Sequence, residues 1–122
     1  MSDFVVIDHL TRTFDQQIAL DDISVSIPKG KIVALAGPDG AGKTTLIRLI
    51  AGLLLPTKGT LTVAGLDTVR QAEEIHALVG YMPQKFGLYE DLTVLENLVL
   101  YADLQGVVGE ERQATFKRLF SF

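Results

Sequence analysis

Gly37-Pro38-Asp39-Gly40-Ala41-Gly42-Lys43-Thr44-Thr45 satisfies the pattern G-x-x-x-x-G-K-[ST], and its reading decides the rest of the chain. Glycines at this spacing let the backbone turn tightly and bring successive N–H groups onto phosphate oxygens, because no Cβ blocks the approach. A helix starting at Lys43 would aim its unpaired N–H groups and the positive end of its dipole at the same anion. Lys43 adds a mobile full charge suited to β- and γ-phosphates, and Thr44 offers a hydroxyl to Mg²⁺. Gly37, Pro38, Gly40, Ala41, Gly42, Lys43, Thr44 and Thr45 are therefore the candidate nucleotide-binding residues. Asp39 gets no phosphate role, since a carboxylate beside a triphosphate repels it unless it points outward. With glycine at about 7% of residues, the pattern arises by chance in well under roughly 1% of chains of this length.

The flanking sequence supplies the context that the pattern needs. Before it, Ile32-Val33-Ala34-Leu35-Ala36 runs apolar without alternation, as a strand buried on both faces would. After it, Leu46, Leu49, Ile50 and Leu53 recur at helical spacing, with Gly52 and Pro56 bracketing the end. Further out, Phe4-Val5-Val6-Ile7 reads as a short strand. Ile23, Val25 and Ile27 alternate with Ser24 and Ser26 as a half-buried one, and Pro28-Lys29-Gly30 turns the chain. Thr60 to Val63 predicts another strand, residues 68–77 a helix, and Val79 to Met82 a strand stopped by Pro83. Thr93-Val94-Leu95-Glu96 has the spacing of a capping box, opening a helix with Leu95, Leu98, Val99 and Ala102 on its apolar stripe and Gly106 at its end. A last helix begins near Glu110-Glu111 and carries Phe116, Leu119 and Phe120 on one face.

The 122 residues contain 48% hydrophobic and 21% charged residues, enough for one globular core and too few for two. A net charge of −4 with no basic run gives nucleic acid no electrostatic footing. No cysteine is present, which excludes disulfides and thiolate metal sites. Mean hydropathy is +0.29, yet the longest apolar stretch, Leu46 to Leu55, is broken by Arg48 and is about half the roughly 20 residues of a membrane span. Met1-Ser2-Asp3-Phe4 lacks the positive start of a signal peptide, so a soluble, cytosolic chain is expected. His9 and His76 have no partner at ligand spacing and read as ordinary residues. Glu73-Glu74 reads as a solvated helix face.

No Asn-Lys-x-Asp for reading guanine occurs. Instead the chain resembles the ATP-binding subunit, the nucleotide-binding domain, of ABC transporters, particularly of drug exporters. Beside the phosphate loop, three stretches carry the likeness. These are Leu10-Thr11-Arg12-Thr13-Phe14 followed by Ala19-Leu20-Asp21-Asp22-Ile23-Ser24; Gly80-Tyr81-Met82-Pro83-Gln84; and Leu92-Thr93-Val94-Leu95-Glu96-Asn97. The resemblance implies an α/β, P-loop NTPase fold of ABC-ATPase type: antiparallel strands, a P-loop strand–helix core and the start of the helical subdomain. It implies ATP and Mg²⁺ as cofactors. Phe14 would stack on adenine, a place more often held by Tyr; stacking needs the ring alone. Gln84 would be the Q-loop residue near Mg²⁺ and the γ-phosphate, catalytic with Lys43 and a metal ligand with Thr44. Read without the family, Phe14 is a core residue and Gln84 a loop residue.

The stretch Lys85 to Asp91 falls where the family meets its transmembrane permease subunit, so contact is expected near Phe86, Leu88 and Tyr89. Packing beneath a loop is the plain alternative. A second ATPase domain is the other implied partner, nucleic acid is not one, and the expected place is the inner face of the cell membrane, held through the permease. The family's signature segment, Walker B aspartate, catalytic glutamate and switch histidine have no counterpart between Gln84 and Phe122. Residues 1–122 thus read as the N-terminal half of one ABC-type domain, with an open sheet edge through which it could self-associate. The expectation is an ABC-type ATPase powering export, of which the 122 residues alone bind nucleotide weakly and do not turn over. Two alternatives stay open: a non-catalytic nucleotide-binding fragment, and a soluble ABC-type ATPase outside any transporter.

Overall fold

A computed structural model describes residues 3–85 and 87–122, in two compact units, Met1–Tyr81 and Met82–Phe122. The first holds a four-stranded antiparallel sheet in the order β2-β1-β3-β4, with β1 spanning Asp3–Phe14, β2 Gln17–Pro28, β3 Lys58–Val63 and β4 Leu66–Asp67. Two helices accompany it, α1 at Lys43–Ile50 and α2 at Ala72–Leu78.

β1 and β2 form one long hairpin, with Phe14 paired to Gln17 across the turn. Strand periodicity buries Val5 and Ile7, and would next bury position 9. An extra residue there breaks the period. His9 takes a φ of 49°, and the buried position becomes Leu10. β2 bulges in answer at Asp22, also at φ 49°. Side chains hold the pair of bulges: the His9 ring lies 2.7 Å from an Asp22 carboxylate oxygen, the His9 N–H donates to Ser24 Oγ, and the Asp22 N–H donates to Thr11 Oγ1. Val5, Ile7, Leu10 and Leu20 from the hairpin pack with Leu61 and Val63 of β3, Leu46 and Leu49 of α1, and Ile75 of α2. Each such buried aliphatic contributes roughly 1.5–3 kcal/mol.

Four expectations need correction. Ile32 to Ala36 is not a strand: it makes no ladder with any described strand, and its five side chains are exposed. Val79 to Met82 likewise forms no strand, and Met82 stands in solvent. The reason is common to both. A parallel strand needs a neighbour to take its N–H and C=O groups, and no described strand lies beside either segment. The helix expected over 68–77 starts later, at Ala72, because Thr68 to Arg70 form a turn instead. The Asp67 carboxylate accepts from the N–H groups of Arg70 and Val69, which holds it below the usual carboxylate range. α1 also ends at Ile50, leaving Leu53 beyond it and exposed.

The second unit contains α3, Val94–Leu104, and α4, Gly109–Phe120. The capping box is complete: Thr93 Oγ1 accepts from the Glu96 N–H, and Glu96 Oε1 accepts from the Thr93 N–H. Arg112 pairs with Asp103 between the helices. On α4, Phe116 and Phe120 meet edge to face with centroids 6.3 Å apart, while Leu119 and Phe120 stay exposed.

Candidate phosphate-binding site

The loop 37–42 turns on Gly40 and Gly42, with φ of 82° and 96°. Gly42 is the N-cap of α1, and no side chain caps that helix or places an acid in its first turn. The opening N–H groups of a helix have no acceptor within it, so this end offers donors and a positive dipole to an anion. The position also demands glycine sterically. A Cβ on Gly42 would lie 2.6 Å from the Ala19 carbonyl oxygen and 2.8 Å from Leu20 Cδ2. Between the pairs Arg12–Leu20 and Thr13–Ile18, β2 carries one extra residue, Ala19, so the loop seats against a bulge in the hairpin.

Lys43 folds over the loop. Its ammonium donates to the Gly37 carbonyl and, at 3.0 Å, to the Pro38 carbonyl, while the Ala41 N–H donates to Pro38. A cation resting on carbonyl dipoles at the mouth of an uncapped helix gains by exchanging them for phosphate oxygens, since bonds between charged partners are about twice as strong. Thr44 is exposed beside it, with its hydroxyl available at the start of the helix, and Thr45 is half-buried. Asp39 is exposed at the loop's turn. The donor set of Gly42, Lys43 and Thr44 fits a phosphate chain; of these groups only the Thr44 hydroxyl oxygen could ligate a Mg²⁺ ion, which would keep its other ligands from phosphate and water.

Phe14 stands at the end of β1, 43% exposed. The Arg12 guanidinium lies over its ring, 4.5 Å from the centroid. Gln84 belongs to the second unit and is exposed. In that unit Leu88 and Tyr89 are exposed and, with Leu92, Val94 and Leu98, line a cavity of about 370 Å³; Phe86 lies outside the described residues. The floor of this cavity was not foreseen from sequence. Asn97, buried within the helix, accepts from the Tyr89 N–H at 2.9 Å and donates to the carbonyls of Tyr89, Leu92 and Thr93. Its signal was a lone amide one turn after the Thr93 cap. His76 is likewise structural, with Nε2 2.9 Å from the Gly52 carbonyl.

No helix among the described residues is long and apolar enough to cross a membrane. Residues 20–121 match the ABC transporter family model. The chain is 57% identical over 104 residues to the probable multidrug ABC transporter ATP-binding protein YbhF of Escherichia coli (strain K12), covering 85% of this chain and 18% of that protein. It is 41% identical over 102 residues to the ABC transporter ATP-binding protein NatA of Bacillus subtilis (strain 168), covering 83% of this chain and 42% of that one. Among solved structures, the dimeric post-hydrolysis state of the ATP-binding cassette MJ0796 bound to ADP and Pi superposes with a TM-score of 0.78 at 26% identity, over 93% of this chain and 54% of that chain. The chain therefore spans well under two thirds of these relatives. The α/β architecture is that of a P-loop NTPase of the ABC-ATPase type. On sequence and on fold alike, the chain belongs to the ABC transporter family.

Proposed function

We propose that this chain binds ATP through the loop 37–45, and that the domain it belongs to hydrolyses ATP to power transport, in the direction of export, by a transmembrane permease subunit. The single observation that carries the reading is the uncapped start of α1, with Lys43 folded over the loop and Gly42 seated where no side chain fits. Lys43 neutralises charge on the β- and γ-phosphates, and the first N–H groups of α1 bind their oxygens. Thr44 would offer its hydroxyl to Mg²⁺, and the ion would draw off charge as the terminal phosphoryl leaves.

Phe14 stacks on the adenine. What supports this is the hairpin register: Phe14 faces Gln17, and Ala19, which touches the loop at Gly42, is two residues further, about 7 Å along the strand. A ring at that distance from the phosphates suits a base joined to them through a ribose. The cavity lined by Leu88, Tyr89 and Leu92 takes an apolar side chain of the permease, with the acid Glu90 also in its lining. Similarity to YbhF, a probable multidrug ABC transporter ATP-binding protein, supports a role in transport, and similarity to the dimeric cassette MJ0796 supports pairing with a second ATPase domain. Residues 1–122 are the N-terminal part of one such domain, working at the cytoplasmic face of the membrane. Co-purification tests the partner: the native protein is expected to leave the membrane in complex with a multi-span subunit, and Leu88→Asp to abolish that recovery. Recovery in the soluble fraction without such a subunit would contradict the transporter reading.

A further inference from the structure

Arg12 and Phe14 are two apart on β1, so strand periodicity sets both side chains on one face of the sheet. The guanidinium lies 4.5 Å from the ring centroid, within the range of a cation–π contact. It does not float there. Its Nη1 donates to the Leu55 carbonyl at 2.6 Å, in the segment that leaves α1. Two further links fasten the same strand end to that segment: the Thr57 N–H donates to the Thr11 carbonyl, and the Thr13 N–H donates to Thr57 Oγ1. Arg12 Nε, by contrast, is buried with no hydrogen-bond partner among the described residues. An orphan buried donor costs stability. The bond to Leu55 needs only one terminal donor, which a lysine would also supply, so that bond does not by itself call for a planar guanidinium.

We infer that Arg12 is a positioning residue for ATP, holding the Phe14 ring from one face so that the purine stacks on the other. The planar guanidinium restricts the ring to one orientation before the base arrives, which lowers the ordering cost of binding. Its charge also draws π-density from the ring, favouring an electron-rich purine opposite. Through Leu55 the same side chain ties the ring to the element that carries the phosphate loop, so base and phosphate ends are set by one framework. This inference rests on the proposed stacking of adenine on Phe14.

The test compares ATP with inorganic tripolyphosphate, which has the phosphates but no base, in equilibrium binding to the full chain. Arg12→Gln should weaken ATP about three- to tenfold and leave tripolyphosphate unchanged. Arg12→Lys, which keeps the charge and loses the plane, should fall between. Phe14→Ala should weaken ATP at least as much as Arg12→Gln, again without touching tripolyphosphate. Equal loss of both ligands in Arg12→Gln would mean that the residue only supports the fold, and would overturn the inference. So would an unchanged ATP affinity in Arg12→Gln beside a clear loss in Phe14→Ala. No loss in Phe14→Ala would remove the platform itself, and with it the role of Arg12.

Discussion

Lys58–Val63 and Ile32–Ala36 are both short and rich in β-branched and aliphatic residues, yet they end in opposite states. Leu61 and Val63 are 2% and 1% exposed in the middle of a sheet, whereas Ile32 and Val33 are 105% and 54% exposed with no ladder. Composition does not separate them. What separates them is that β3 finds β1 on one side and β4 on the other, while Ile32–Ala36 has no described neighbour. Strand propensity is a statement about fitting a pleated surface that other strands provide. The loop 37–42 nonetheless keeps its turn, with Gly42 seated against the bulge at Ala19 at the start of α1.

The contrast can be broken most sharply by truncation. Leu61→Ala should destabilise the chain by about 2–5 kcal/mol in denaturant unfolding, and Ile32→Ala by no more than about 0.5 kcal/mol. Equal losses would mean that Ile32 is packed. Gly42→Ala tests the part of the loop that stands without the strand. Forcing a Cβ toward the Ala19 carbonyl at a φ of 96° should cost about 1–3 kcal/mol and weaken nucleotide binding, as thermal unfolding and titration would show. An unperturbed Gly42→Ala would deny that the bulge seats the loop.

The smallest effect concerns the paired bulges that set β1 in register. The hydrogen bond to Asp22, then the negative charges of Asp22 and Asp8, raise the His9 imidazole above its ordinary value of 6.5. The sign follows: stability from charged His9 is full below pH about 6.5 and is lost as pH rises through the folded value. Both side chains are exposed, so the effect is slight. In an NMR titration, Asp22→Asn should return His9 toward 6.5; an unchanged midpoint would show that Asp22 is not the cause.

Much of the site was legible because its chemistry is local. Gly37 to Thr45 states its own geometry, and Thr93 with Glu96 states a cap, since each involves residues within one turn of one another. The misreadings were non-local. Nothing in Ile32 to Ala36 or Val79 to Met82 says whether a neighbouring strand exists. Nothing near Thr68 says that the Asp67 carboxylate will claim two N–H groups and delay the helix. Arg12 over Phe14 and Asn97 beneath Tyr89 depend on register and on where a side chain turns, which spacing alone does not give.

The central claim is that the loop before α1 is a phosphate cradle whose one mobile cation is Lys43. The most direct measurement is equilibrium binding of ATP with Mg²⁺ to the chain and to Lys43→Ala, with circular dichroism confirming that both are folded. Losing the bonds of a charged donor should weaken binding about ten- to a hundredfold without changing the unfolding midpoint appreciably. Equal affinity in the two folded proteins would contradict the account.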